Sequence, residues 1–137
     1  MVGLFRSSYR RHSGFTLIEL MVVMALIVIL ASVALTMYGN SITRSKEAVL
    51  KEDLFRMRDA IDQYYADKNQ YPNDLQALVS ERYLRAVPQD PFTQSADTWQ
   101  TVMSETDLSN PQAQSGVSDV KSGSEAIALD GSRYADW

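Results

Sequence analysis

The chain contains no cysteine, which excludes disulfide staples, cysteine-ligated zinc and cysteine nucleophiles. Histidine occurs once, as His12, within a short basic segment at the start. If that segment is removed, no histidine remains for acid–base catalysis or metal ligation. No glycine-rich phosphate loop, nucleophile–histidine pairing or ligand cluster for a catalytic metal is found, so the sequence reads as that of a non-enzyme. Basic clusters are also missing downstream. Residues 1–14 hold Arg6, Arg10 and Arg11 of the 13 basic residues and none of the 17 acids, so the remainder carries 10 basic against 17 acidic side chains, a net charge of −7. An acidic body without a Lys/Arg patch argues against a nucleic acid partner.

What is present is unevenly distributed. At 137 residues there is room for one domain, and the 45% of apolar residues are concentrated near the start. The basic segment followed by an apolar run resembles the beginning of an export signal, and its arginines favour keeping that end in the cytoplasm. From Leu20 to Leu35 only Ser32 is polar. Phe15 to Tyr38, read as helix, extends about 36 Å, enough to cross a hydrocarbon core of about 30 Å. Two ordinary readings fit: a signal peptide cut after Ser32-Val33-Ala34, freeing a soluble chain from Leu35, or a single-pass anchor. Neither accounts for Glu19. A carboxylate inside a membrane helix costs about 2.5–3.5 kcal/mol on insertion scales and needs a reason. Cleavage between Gly14 and Phe15 would create an amine four residues before Glu19. In a polymer that carboxylate could pair with the amine of an adjacent subunit, compensating two charges at once and setting the axial register.

The string Gly14-Phe15-Thr16-Leu17-Ile18-Glu19-Leu20, between a basic leader and an apolar helix, resembles the class III signal of type IV pilins and pseudopilins. The resemblance implies that a prepilin peptidase cuts after Gly14 and N-methylates Phe15, and that Glu19 is the assembly carboxylate. Many members of that family carry a proline where this chain has Thr36. Gly39 is the strongest helix weakener nearby, so any extended segment is expected near Gly39, or not at all.

Beyond Gly39, Leu50, Leu54, Met57, Ile61 and Tyr64 recur at spacings of four and three, with charged residues between them. The stripe fits a coiled-coil seam, but it lasts barely two heptads and fits better a helix laid on its own domain. One helix is predicted from Phe15 to about Lys68, ended by Asn69 and Tyr71-Pro72. Asn73 is placed to cap a short helix from Asp74 to about Arg82, and Tyr83–Pro91 reads as a loop between prolines. Strands are predicted over Thr98–Met103 and Val117–Val120, with a weaker third over Ala126–Leu129 and a loop over Ser104–Ser115. The string YPNDLQALVSERYLRAVPQDPFT resembles the αβ-loop of major pseudopilins. The expected architecture is α+β: a type IV pilin-like fold with a long N-terminal helix packed on a small C-terminal antiparallel β-sheet. It comprises a leader (1–14), a transmembrane and filament-core helix (15–38), its amphipathic continuation (39–68) and a head (69–137). So small a head should take most of its apolar contact from the helix, with Trp99 and Trp137 packed inside.

The tail is dense in oxygen donors: Ser118, Asp119, Ser122, Ser124, Glu125, Asp130, Ser132 and Asp136. Such donors suit calcium, though their spacing is not that of an EF-hand, and composition alone equally describes solvated turns. With its Asp-Val pair, small-residue turn and terminal aromatic, the tail resembles major pseudopilins of type II secretion systems. That resemblance implies calcium at Asp119, Ser122, Glu125 and Asp130. Type IVa pilins close this region with a disulfide, which this chain cannot form. The function implied is a structural subunit of a helical homopolymer serving protein secretion across the outer membrane. It would be anchored by one span in a bacterial inner membrane with its head in the periplasm. Implied partners are further copies of the chain, a prepilin peptidase, an inner-membrane assembly platform and minor pseudopilins. The alternative is a surface type IV pilin for adhesion, motility or DNA uptake.

Overall fold

The computed structural model describes residues 14–105 and 114–137. The basic leader up to residue 13 and most of the loop expected over Ser104–Ser115 lie outside the described residues. The chain divides into two compact units, 1–39 and 40–137.

Helix α1 runs Leu17–Lys68. Thr36 and Gly39 are both helical, so the extended segment considered near Gly39 is missing. In the first unit the apolar side chains of α1 are exposed, from Leu17 and Ile18 through Leu35 and Tyr38. This stretch is the one part of the described chain long and apolar enough to cross a membrane. In the second unit α1 becomes amphipathic. Leu50, Leu54, Met57, Ala60, Ile61 and Tyr64 are all buried on one face, the spacing that places side chains one above another on a helix. Asn69 then adopts φ 52°, a left-handed conformation that Asn tolerates better than most residues, and the helix stops.

Helix α2, Leu75–Ser80, is capped by Asp74, whose side chain accepts from the Ala77 N–H at 2.7 Å. The cap is therefore one residue later than the Asn73 expected from the sequence, and the helix is shorter at its C-terminal end, where Arg82 turns to φ 66°. Strand β1, Gln100–Met103, pairs antiparallel with β2, Val117–Lys121. The register pairs Val102 with Asp119 and Met103 with Val117, leaving Ser118 as an extra residue in β2. This bulge explains how Val117 and Val120, three residues apart, both point into the core when strict alternation would send them to opposite faces.

The third strand expected over Ala126–Leu129 is a single bridge, Ile127 to Arg133. The chain reverses too soon for a ladder: Asp130-Gly131 forms a turn, with Gly131 at φ 88° and the Ala128 N–H donating to the Ser132 carbonyl at 2.7 Å. A short 3₁₀ turn, Tyr134–Asp136, follows.

The core has two connected parts. Leu50, Leu54 and Met57 of α1 pack with Trp99, Val120, Ala128 and Tyr134. Ala60, Ile61 and Tyr64 pack with Leu78 and Val117. Helix α2, strand β2 and the 3₁₀ turn thus meet the same helical face, while β1, exposed along its length, joins the head through its pairing with β2. Trp99 is buried, its indole N–H donating to the Pro88 carbonyl at 2.7 Å. Trp137 is half-buried against Tyr134.

Candidate processing and assembly site

The first described residues are the ones that the processing signal singles out. Gly14 precedes the helix, and among the described residues nothing lies within 4 Å of where a side chain would start. Phe15 is 86% exposed. The helix is started by Thr16, which the sequence reading passed over. The Glu19 N–H donates to Thr16 Oγ1 at 3.2 Å, and the Leu20 N–H donates to the Thr16 carbonyl at 3.1 Å. Thr-x-x-Glu at a helix start is a capping-box pattern, so a signal for this residue was legible in the string. Glu19 consequently lies in the first turn, where backbone N–H groups point outward and a negative charge is favourable. Thus Gly14, Phe15 and Glu19 occupy one exposed end, with the carboxylate one turn from the Gly14–Phe15 bond.

The four side chains considered for calcium do not form a ligand set. Asp119 accepts from the Arg58 guanidinium at 2.7 Å and from the Val120 N–H at 2.7 Å. Ser122 is fully buried and donates to the carboxylate of Asp90. Glu125 is exposed. Asp130 accepts from both the N–H and the hydroxyl of Ser132, bonds that hold its carboxyl below the usual carboxylate range. Among the described residues, no three His, Cys, Asp or Glu side chains are grouped so as to hold a metal. The donor set does not fit a calcium ion.

Three further polar residues close the tail. Asp90 is buried, and its carboxylate also accepts from the Phe92 N–H at 2.8 Å. Glu47 on α1 accepts from the Tyr134 hydroxyl and from the Leu129 N–H, each at 2.8 Å. Burial, followed by that bond to Glu47, pushes the Tyr134 phenol up to about 12. Arg58 reaches from α1 to Asp119, to the Val120 carbonyl at 2.9 Å and to the Trp137 carbonyl at 3.0 Å. Asp90 lay within a string already noted, as an Asp-Pro turn that its side chain closes by bonding backbone two residues on. Nothing local marks Glu47 or Arg58, because their partners lie far away in sequence.

Comparison with known proteins agrees with this geometry. Residues 9–35 match the prokaryotic N-terminal methylation motif. The chain is 32% identical over 99 residues to the type II secretion system core protein G of Aeromonas hydrophila, covering 61% of this chain and 69% of that one. It is 35% identical over 100 residues to the protein of the same name from Klebsiella pneumoniae, covering 61% and 71%. It is also 38% identical over 81 residues to the fimbrial protein EcpC of Eikenella corrodens, which covers 56% of this chain and 53% of that protein. No solved structure matches. With a methylation motif spanning the helix start, a long helix backed by a small antiparallel sheet, and similarity reaching well into the head, the chain belongs to the type II secretion core protein G family, the major pseudopilins: membrane-anchored structural subunits of pilin-like filaments.

Proposed function

We propose that this chain is processed between Gly14 and Phe15, methylated on the Phe15 amine, and polymerised through Glu19 into a pseudopilus that drives protein secretion across the outer membrane. The observation that carries this reading is the position of Glu19. It is the only charged residue between Phe15 and Tyr38, an exposed and predominantly apolar stretch that is helical from Leu17. A surface with so much uncovered apolar area is suited to lipid before assembly and to neighbouring helices after it. The carboxylate is then opposed by the amine of an adjacent Phe15, and the pair fixes the step between subunits.

The chain is a scaffold and not a catalyst. Its partners are other copies of itself, a prepilin peptidase, an inner-membrane assembly platform and minor pseudopilins. The arginines of the leader keep the start of the chain in the cytoplasm, which puts the head in the periplasm. Similarity to core protein G reaches further along its relatives than similarity to the fimbrial protein does, and this favours secretion over a surface pilus.

Mass spectrometry of the terminal peptide, from protein extracted from the membrane of a strain carrying its own prepilin peptidase, tests the reading. The expected peptide begins at Phe15 and carries one methyl group. A chain beginning at Leu35, or one retaining Met1, rejects the processing step and the assembly role that depends on it.

A further inference from the structure

The tail is held by a cation that belongs to the chain. Arg58 lies on α1 between the buried residues Met57 and Ile61. Its guanidinium collects three oxygens from distant parts of the sequence. Nε donates to Asp119 Oδ1 at 2.7 Å, and Nη2 donates to the carbonyls of Val120 at 2.9 Å and Trp137 at 3.0 Å. One carboxylate and two backbone carbonyls form the kind of hard oxygen set that a calcium ion would take. Two of the three come from β2 and the third from the residue after the 3₁₀ turn, so one side chain ties the helix to both segments that close the head. Two further oxygen donors of the tail are engaged as well: Ser122 by Asp90, Asp130 by Ser132. A second cation supports the same end, with Lys51 Nζ 4.6 Å from the centre of the Trp137 ring.

We propose that Arg58 replaces a divalent cation as the clasp of the head, making the fold of this pseudopilin independent of calcium. The physical difference from a metal clasp is permanence. A guanidinium stays charged at any pH the protein meets, its planar fork is matched to oxygens in fixed directions, and it needs no free ion. A metal clasp would be lost whenever calcium fell below its dissociation constant. Asp119 is thereby a partner of Arg58 and not a metal ligand.

Thermal unfolding of the full chain in detergent micelles, with calcium and with excess chelator, tests the proposal. The two wild-type melting temperatures are expected to coincide. Arg58→Met is expected to lower the melting temperature by about 5 °C or more, and Arg58→Lys to lower it less, because an ammonium keeps the charge but not the fork. Arg56→Met is the control, since Arg56 is exposed and its ion pair is with Glu52 on the same helix, and it is expected to change little. Should Arg58→Met fail to fold, comparison of Arg58→Lys with Arg56→Met carries the test. The double variant Arg58→Met, Asp119→Asn is expected to lose less than the sum of its single variants. The proposal is overturned by a wild-type melting temperature several degrees higher in calcium, by Arg58 variants no worse than the control, or by strictly additive losses in the double variant.

Discussion

The Tyr134 hydroxyl donates to Glu47 Oε1 at 2.8 Å, bridging 87 residues of sequence. Glu47 sits on α1 three residues before Leu50, where the buried stripe begins. The same carboxylate oxygen accepts the Leu129 N–H. One acid on the helix therefore holds both sides of the final turn. Tyr134→Phe keeps the ring against Phe92 and Trp137 but removes the bond. It is expected to destabilise the head by about 1–2 kcal/mol, measured by denaturant unfolding at neutral pH.

The same bond gives an alkaline limit. The Tyr134 phenol is pushed up to about 12 in the fold, chiefly by burial and then by Glu47, against about 10 in an unfolded chain. A raised folded value means that this contribution is fully present below about pH 10 and is lost as pH rises toward 12. Melting temperature should fall across that window in the wild type, and the part of the fall due to Tyr134 should be absent in Tyr134→Phe. An identical pH profile for the two proteins would remove Tyr134 as its source.

Asp90 and Ser122 supply a second test. Both are fully buried, and the carboxylate serves Ser122, the Phe92 N–H and the Thr93 N–H together. Asp90→Ala leaves the buried Ser122 hydroxyl and the part-buried Phe92 and Thr93 N–H groups without their acceptor. With each unsatisfied buried group worth about 1–3 kcal/mol, the expected loss is about 3 kcal/mol or more. Ser122→Ala leaves Asp90 its backbone donors and should cost about 1–2 kcal/mol. Equilibrium unfolding separates the two, and equal losses would show that the hydroxyl, not the backbone turn, is what Asp90 serves.

Gly123 tests how closely the tail lies on the segment just before β1. A Cβ built there would sit 2.0 Å from the Thr98 carbonyl oxygen, with backbone on the other side of the clash. Because neither partner is the end of a flexible side chain, Gly123→Ala should cost about 3 kcal/mol by forcing the two segments apart. Gly39→Ala, where a Cβ meets nothing within 4 Å, should instead be neutral or slightly stabilising through helix propensity.

The long helix, its buried stripe and both strands were legible because each is a local pattern. The apolar run sets a length, the four-three spacing of Leu50, Leu54, Met57 and Ile61 sets a face, and β-branched runs set strands. The αβ region was legible except for its helix ends: adjacent Asn73 and Asp74 offer the same capping chemistry and the second takes it, and the helix stops at Ser80, before Arg82. The weaker third strand expected over Ala126–Leu129 shrinks to one bridge because the Asp130-Gly131 turn cuts it short. The tail was the least legible part. Its oxygen-rich composition equally describes solvated turns, and the cation that meets Asp119 lies 61 residues away on another element. Composition shows which donors exist. Only long-range contacts decide which partner reaches them.

Glu19 gives the most direct test of assembly. Glu19→Leu makes the span more apolar, so membrane insertion should be equal or better. The helix start should survive, because Thr16 Oγ1 accepts from the backbone N–H of residue 19 and not from its side chain; only the favourable placement of an acid in the first turn is lost, worth about 0.3–1 kcal/mol. What disappears is the group proposed to oppose the Phe15 amine of an adjacent subunit. Removing one partner of a buried pair costs about 3–5 kcal/mol in soluble proteins, and in a filament that cost recurs at every subunit contact. Polymerisation should therefore respond far more sharply than folding. Thr16→Val separates the two effects: it weakens the helix cap but keeps the carboxylate, and filaments should still form. With both variants and the wild type expressed equally and shown to be processed and membrane-bound, sheared filaments are counted by electron microscopy. Normal filament yield and symmetry from Glu19→Leu would reduce Glu19 to a residue of the helix start and end its assembly role.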